Sequence, residues 1–469
     1  MRYENSNVLK GGEKMSTISK TRSNMRVPVI VLLLGLSSPA VLSQTLEQAV
    51  ASALESHPKI RESFARYKSS EQSISEARAG YYPVLDANAG IGYEQSSSPG
   101  IRRDETTDDE VGLTRRELGL SLRQMIFDGF RTNQEVAQAE NEANAEQWTL
   151  LATAEDQALE VTRTYLDVLV AKEVVKLAEK NLDNHEEIFN LIKSNHEGGF
   201  SKSSDVCQVK GRLARANANL LSARNNLADE RSAFVKMVGA PPEALRFPNP
   251  DDNLLPSSLD NAIDIALANH PRLKAAESGI IAAKAARKAS NAANLPTANF
   301  EVDANWNDNV GGQDGAGSPN VGGENKNIQA MLRMRYNLFN GGADSARKKQ
   351  AAYKLIEARE ANEMIHRQVV DSATITWNAK KYLKEQLEYI NEHVDAATDT
   401  REDYREEFRV NARTLLDVLG AENELFEARR DALKKQADEI YAQYRMLNVT
   451  GQLLASLRVD MPTNWDRES

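Results

Sequence analysis

Two stretches of this chain, 131–197 and 343–410, run for 67 and 68 residues without a glycine or a proline. Ala, Glu, Gln, Lys, Leu and Arg fill their exposed positions, the residues that lose least on entering a helix. At 1.5 Å per residue each helix reaches about 100 Å, where an ordinary globular helix has about 11 or 12 residues. A helix that long cannot bury itself and needs coiled-coil neighbours. The heptads are irregular and rich in alanine, so close helix packing is expected rather than a plain leucine zipper. Each stretch stops at a breaker, Gly198-Gly199-Phe200-Ser201 or Asn411-Ala412-Arg413-Thr414. The chain then returns in helices expected over about 203–238 and 414–457, which makes two antiparallel helical hairpins.

The chain is duplicated. Thr45–Ile60 matches Ser258–Leu273, with Leu46, Ala49, Ala53, Leu54, His57 and Pro58 recurring 213 residues later as Leu259, Ala262, Ala266, Leu267, His270 and Pro271. Pro83 falls on Pro296 in the same register. Ile126-Phe127-Asp128-Gly129 falls on Leu338-Phe339-Asn340-Gly341, and Ser204-Asp205-Val206 on Leu416-Asp417-Val418, each one residue out of step. An internal repeat kept over that distance fixes the architecture before any local reading. The expected organisation is a first repeat over 44–240, a Pro-rich linker over 241–257, a second repeat over 258–457 and a tail over 458–469. Within each repeat an amphipathic helix, two strands, the long helix and the return helix follow in order.

Strands are expected at about 82–94, 116–127, 297–307 and 327–339. In the third, Ala298, Phe300, Val302, Ala304 and Trp306 oppose Thr297, Asn299, Glu301, Asp303 and Asn305. In the fourth, Ile328, Ala330, Leu332, Met334, Tyr336 and Leu338 oppose Gln329, Arg333, Arg335 and Asn337. Such alternation fits a soluble sheet with one buried face and a transmembrane barrel strand. Three features favour the barrel. The strands have the 9–11 residues that a tilted span needs. Tyr81, Tyr82, Phe127, Phe130 and Phe339 stand at strand ends, where interfacial aromatics gather. The segments joining each pair, 95–115 and 308–326, are polar. The polar faces, with Asp86, Arg123, Glu301, Asp303, Arg333 and Arg335, are then expected to line a lumen. Four strands cannot close a barrel, and open edges in lipid cost several kcal/mol per unpaired group. Copies must therefore pool their strands: two would give eight strands and a filled interior, three would give twelve and a lumen.

Composition removes other classes. The 58 Lys and Arg against 68 Asp and Glu leave the chain at −10, so no nucleic-acid partner is expected. One cysteine, Cys207, excludes an intramolecular disulfide framework, a CxxC pair and a cysteine-based zinc site; it is expected to be packed. HExxH, P-loop, GxSxG and EF-hand patterns are absent and the six histidines lack ligand spacing, so no enzyme, cofactor or metal is expected. His57 and His270 are expected to serve helix starts. A mean hydropathy of −0.54 argues against a helical membrane bundle. The apolar fraction of 41% with 6% aromatics suits long, surface-rich helices.

One apolar run, Val27–Leu36, follows Lys10, Lys14, Lys20, Arg22 and Arg26 and precedes the small residues 37–43. That is the form of a secretory signal peptide over 1–43, and the run is too short for a membrane span. Removing that segment's net +4 leaves about −14 on the mature chain.

These residues resemble the TolC family of outer-membrane export channels. The markers are the paired helix starts ending in His57-Pro58 and His270-Pro271, the Phe-Asp-Gly and Phe-Asn-Gly strand ends and the two tips. The combination covers nearly the whole mature chain, about 46–457. The resemblance implies a mainly α fold with a membrane β-barrel portion: a homotrimer with a twelve-stranded barrel in the outer membrane of a Gram-negative bacterium and a long periplasmic tunnel of coiled helices. It also implies outer-membrane lipid around the barrel, a periplasmic adaptor (membrane fusion) protein and an inner-membrane transporter of ABC type. Export by type I protein secretion is the favoured expectation, with multidrug or small-molecule efflux as the alternative. A secreted coiled-coil scaffold or adhesin is the rival outside the family; it leaves four matched strands unexplained.

The resemblance also assigns residues. An arginine matching Arg413 bonds the neighbouring hairpin at positions matching Ser204 and Asp205 and helps keep the aperture shut. An aspartate matching Asp417 faces the axis, where three copies form a carboxylate ring that favours cations. The tips, Gly198, Gly199, Phe200 and Ser201 with Val410, Asn411 and Ala412, are the implied adaptor-docking surface. Phe408 stands where the family often has tyrosine and Gly420 where it often has a second aspartate, so one acidic ring and a weaker latch are expected. The bland alternative for Asp205 and Asp417 is a solvated carboxylate at a helix start, favourable near the positive end of the helix dipole.

Overall fold

The computed structural model describes residues 44–97, 110–310, 323–410 and 412–460. The expected leader 1–43, Asn411 and residues 461–469 of the tail lie outside the described residues. The first repeat contains α1 (Leu46–Ser56), α2 (Pro58–Ala79), β1 (Val84–Ser96), β2 (Val111–Phe127), α3 (Arg131–Glu197) and α4 (Ser203–Val238). The second contains α5 (Leu259–Asn269), α6 (Pro271–Ser290), β3 (Thr297–Asp308), β4 (Glu324–Arg335), α7 (Ala343–Arg409), α8 (Leu415–Val449) and a last turn, α9 (Leu453–Ser456). No described helix is long and apolar enough to cross a membrane.

The repeated His-Pro pairs have a local cause. Pro58 and Pro271 occupy the first helical positions of α2 and α6, where a missing N–H costs nothing. The preceding histidine caps each helix: His57 Nδ1 accepts from the Lys59 N–H at 3.3 Å, and His270 Nδ1 from the Arg272 N–H at 3.2 Å. An imidazole can accept there only while that nitrogen is unprotonated. Burial, assisted by the neighbouring Lys59 and Arg272 charges, lowers both histidine pKa values and keeps it so.

The four strands form one antiparallel sheet in the order β1-β2-β3-β4. The β2–β3 ladder, with Ser121 opposite Asp303 and Leu122 opposite Val302, therefore joins the two repeats. Apolar rows cross all four strands, such as Leu85–Leu122–Val302–Ala330 and Ala87–Leu120–Ala304–Ile328. The strand bounds differ from expectation by three residues or more at three ends. β2 starts at Val111 instead of 116 and β4 at Glu324 instead of 327, because backbone pairing needs no apolar face and continues into polar sequence. β4 stops at Arg335 instead of 339, leaving Tyr336, Leu338 and Phe339 exposed beyond it.

Helix α3 is the spine. It packs against α2, α4, α6 and α8, while α7 packs against α5, α6 and α8. The main core lies at mid-height and gathers α1, α3, α4, α8, the linker and α9, with Leu54, Val161, Tyr165, Phe234, Leu447 and Leu453 buried together. The Tyr165 hydroxyl lies 2.9 Å from the carbonyl oxygens of Gln44 and Arg246, tying the segment just before α1 and the segment after α4 to α3. Glu155 of α3 is buried and accepts the N–H groups of Leu453 and Leu454, each at 3.2 Å. Helix α8 ends at Val449 instead of near 457. Gly451 turns the chain at φ +67°, and a Cβ there would meet the Asn269 carbonyl oxygen at 2.9 Å, so only glycine fits.

Candidate functional site

The first tip is the turn between α3 and α4. Gly198 caps α3 through its N–H to the Ser194 carbonyl at 3.0 Å, and Gly199 takes φ +81°. The Phe200 N–H then reaches back to the Asn195 carbonyl at 2.7 Å, and the Phe200 ring stands 87% exposed. The second tip is the turn between α7 and α8. The Val410 and Ala412 N–H groups both donate to the Glu407 carbonyl, at 3.3 and 2.9 Å, and Val410 is exposed. Gly198, Gly199, Phe200, Ser201, Val410 and Ala412 therefore sit in the two helical turns.

Within the subunit, Asp205 and Asp417 are both helix-start carboxylates. Asp205 accepts the Lys202 N–H at 3.2 Å and the Ser204 hydroxyl at 3.3 Å. Asp417 accepts the Thr414 N–H at 3.3 Å while its own N–H donates to the Thr414 hydroxyl oxygen at 3.3 Å, closing a reciprocal capping box, and its carboxylate also accepts the Thr414 hydroxyl at 2.8 Å. Arg413 is held by its own hairpin. Its Nε donates to Glu407 Oε2 at 2.7 Å and its guanidinium lies 4.1 Å from the Tyr404 ring centre, not on Ser204 or Asp205 of the same chain. The Glu407 carboxylate raises the Arg413 pKa further above its usual range.

One apolar cluster binds the two tips together. Ile188 and Ile192 of α3, Val209 of α4 and Leu415, Val418 and Leu419 of α8 are buried in it, with Phe408 and Tyr404 of α7 packed against it. Phe408, the expected site of a lost hydroxyl, is thus an apolar packing residue. Cys207 corrects an expectation: it is exposed, because α4 turns its Val209 side toward the cluster. Gly420 is exposed on α8, and a Cβ there would meet nothing within 4 Å.

A polar node lies just above this cluster. Glu422 of α8 is only 2% exposed and accepts the Asn184 Nδ2 hydrogen bond at 2.8 Å, while Arg405 Nε stands 3.7 Å from its other oxygen. Arg405 also reaches Glu187 at 3.0 Å. His185 is buried beside them, and desolvation lowers its pKa against the pull of Glu422. Sequence reasoning did not single out these residues. The signal was present: Glu422 continues the 415, 418, 425 stripe of α8, and Asn184 continues the 188, 192 stripe of α3, where apolar residues are the rule.

In the sheet, the polar face holds the expected lumen residues in one lattice. Glu301 is the hub, with Arg333 at 2.6 Å and Arg123 at 3.6 Å, and Gln329 donates to Asp303 at 3.2 Å. Asp86 lies opposite Ser121, in the row of Asp303 and Gln329, and Arg335 lies opposite Thr297. The other face leaves Leu85, Ile91, Tyr93, Ile328, Leu332 and Met334 exposed, Ile91 by 78%. Among the described residues the outer edges of β1 and β4 pair with no strand, and no group of three or more His, Cys, Asp or Glu is placed to hold a metal.

The family model described as "Outer membrane efflux protein" matches residues 49–240 and 262–452, one segment in each repeat. The chain is 27% identical to the outer membrane efflux protein BepC of Brucella suis over 432 residues, covering 92% of this chain and 90% of that protein. It is 24% identical to the outer membrane protein TolC of Escherichia coli, covering 90% and 86%. Its fold is shared with the crystal structure of the Campylobacter jejuni CmeC outer membrane channel, with a TM-score of 0.74 at 14% identity, covering 90% of this chain and 87% of that one. Both repeats carry the match, and the chain belongs to the outer membrane efflux protein family, whose members are non-enzymatic channels of the outer membrane.

Proposed function

We propose that three copies of this chain pool their sheets into a twelve-stranded barrel and their helical hairpins into a periplasmic tunnel. The trimer carries substrates out of the cell. One observation supports it above the others: a four-stranded sheet with free outer edges, one exposed apolar face and one charged face, mounted on helices of 67 residues. The apolar face suits lipid, and closure with other copies satisfies the edges. The charged lattice around Glu301 suits a water-filled lumen better than the filled interior of an eight-stranded barrel. Asp205, Ser204, Arg413 and Asp417 are proposed to control the aperture. The exposed turn residues Gly198, Gly199, Phe200, Ser201, Val410 and Ala412, with Asn411, are proposed to dock a periplasmic adaptor coupled to an inner-membrane transporter of ABC type.

Type I protein secretion is the proposed role, on the sequence resemblance. Small-molecule efflux is the second reading, favoured by the name of BepC, which matches nine-tenths of the chain. Conductance of the purified protein in planar bilayers tests the pore, and a water-soluble, non-conducting monomer would end the proposal. Deleting the gene and comparing the secreted proteome with drug susceptibility separates the two substrate classes.

A further inference from the structure

The two repeats share an architecture but not a charge at the level where helices meet the sheet. In the first repeat, the last turns of α2 and the first turns of α3 mix Lys68, Arg78 and Arg131 with Glu71, Glu76, Glu135, Glu140 and Glu142. In the second, the last turns of α6 carry Lys284, Arg287 and Lys288 with no acid after Glu277. The first turns of α7 carry Arg347, Lys348, Lys349 and Lys354 against Asp344 alone. This basic collar occurs in a chain whose balance is −10.

Part of the collar lines a groove of ≈ 410 Å³ between α3, α6 and α7, with Ala137, Ile281, Ala285 and Leu355 as its apolar part. Lys284, Arg287 and Lys288 stand along one side, Gln134, Asn141 and Asn291 supply amides, and no carboxylate lines it. None of the three cations forms an ion pair among the described residues. The groove's height is set by the fold. Helix α6 passes through the turn Asn291–Asn294 into β3 at Thr297. That turn is clamped by Gly129 (φ +72°), where a Cβ would meet Leu295 Cβ at 2.9 Å and the Ala292 carbonyl oxygen at 3.0 Å. Lys284 to Lys288 thus sit within about two to three helical turns of the sheet. At the same end Tyr81, Tyr82, Phe130 and Phe339 are exposed, as aromatics are at a membrane interface.

We infer that this groove holds the head group of an anionic phospholipid from the inner leaflet of the outer membrane. The inference rests on the membrane placement of the sheet. The phosphate lies on Lys284, Arg287 and Lys288, and the amides of Gln134, Asn141 and Asn291 meet the polar remainder of the head group. The acyl chains leave past the exposed Leu295 toward the apolar face of β3. Two features commit the site to a lipid: its charge complements phosphate, and it lies on the helix that leads directly into β3 of the sheet with the exposed apolar face. Basic clusters next to a spanning segment gain binding energy from each cation near an anionic surface.

The test compares the wild-type protein in neutral detergent with K284Q/R287Q/K288Q and with the distant control K180Q/K193Q/K210Q. Phosphatidylglycerol or phosphatidylcholine is added, and bound lipid is read by native mass spectrometry. The wild type and the control should retain phosphatidylglycerol about tenfold or more over phosphatidylcholine, and the groove variant should lose that preference. Equal retention of both lipids by the wild type, or a preference surviving in the groove variant, would overturn the inference. Displacement of phosphatidylglycerol by millimolar inorganic phosphate would overturn it in favour of a free-anion site. Bilayer conductance of the same preparations reads the channel separately, so a conducting wild type without lipid preference refutes the groove alone.

Discussion

Asn184 and Glu422, 238 residues apart, meet in a buried hydrogen bond of 2.8 Å that ties the α3–α4 hairpin to the α7–α8 hairpin above the tips. The second Glu422 oxygen has no hydrogen-bond partner and faces Arg405 at 3.7 Å. A buried carboxylate with one good hydrogen bond and one loose ion pair is a costly arrangement, so the node gives relative register more than stability.

Truncating Glu422 should expose that cost. Glu422→Ala strands the Asn184 amide and leaves Arg405 with Glu187 alone, and should destabilise the protein by about 2–4 kcal/mol. Glu422→Gln keeps an acceptor for Asn184 and should lose less. Urea unfolding followed by circular dichroism checks both, and equal losses would refute the hydrogen bond as the carrier.

Arg413→Ala removes the Glu407 contact and the stacking on Tyr404. Because the side chain is solvent-accessible, unfolding should barely change, whereas single-channel conductance in bilayers should rise if Arg413 latches the assembled aperture. Conductance equal to wild type would remove the latch.

Asp417 has two separable roles. Asp417→Ala should weaken block by divalent and trivalent cations and also lose the capping box, worth about 1 kcal/mol. Thr414→Ala loses the other half of the box, the hydroxyl that accepts the Asp417 N–H, but keeps the charge. Cation block weakened in the aspartate variant and intact in the threonine variant identifies a carboxylate ring; equal changes identify capping alone.

Glu155 makes stability pH-dependent. Desolvation raises its pKa to about 7, against the Leu453 and Leu454 N–H groups that favour the ionised form. Between pH 4.5, its ordinary value, and about 7 the folded chain holds a proton that the unfolded chain has released. Stability should therefore fall as pH rises through that window, by at most about 3 kcal/mol, and level off above it. In Glu155→Gln this contribution to the slope should vanish, as read from unfolding midpoints between pH 4 and 8. A slope unchanged in the variant would assign the effect elsewhere.

What the sequence revealed follows periodicity. Polar and apolar alternation places Glu301, Asp303 and Arg333 on one face and Ile328 and Leu332 on the other, because a strand alternates at every residue whatever its surroundings. The His-Pro pairs mark helix starts because proline and its neighbour act locally. Burial along a long helix is less local. Glu155, Asn184 and Glu422 read as ordinary polar residues in polar helices, and only the packing of α3 against α8 and α9 takes them out of water. Cys207 was misplaced for the same reason, since its neighbour Val209 faces the cluster and it does not.

The amino-acid order by itself determined the duplicated plan, the long helices and the two-faced strands, each set by interactions within a few residues or by an internal repeat. Tertiary structure alone decided which polar groups are buried, that β2 pairs with β3 across the repeats, and that Arg413 turns to Glu407 within the subunit. It also brought Lys284, Arg287 and Lys288 beside α3 under the sheet. Apart from the Arg413–Glu407 pair, which the turn geometry of one tip sets, those outcomes depend on side chains brought together from distant parts of the chain, and hydrophobic burial fixes which of them meet without encoding the pairing locally.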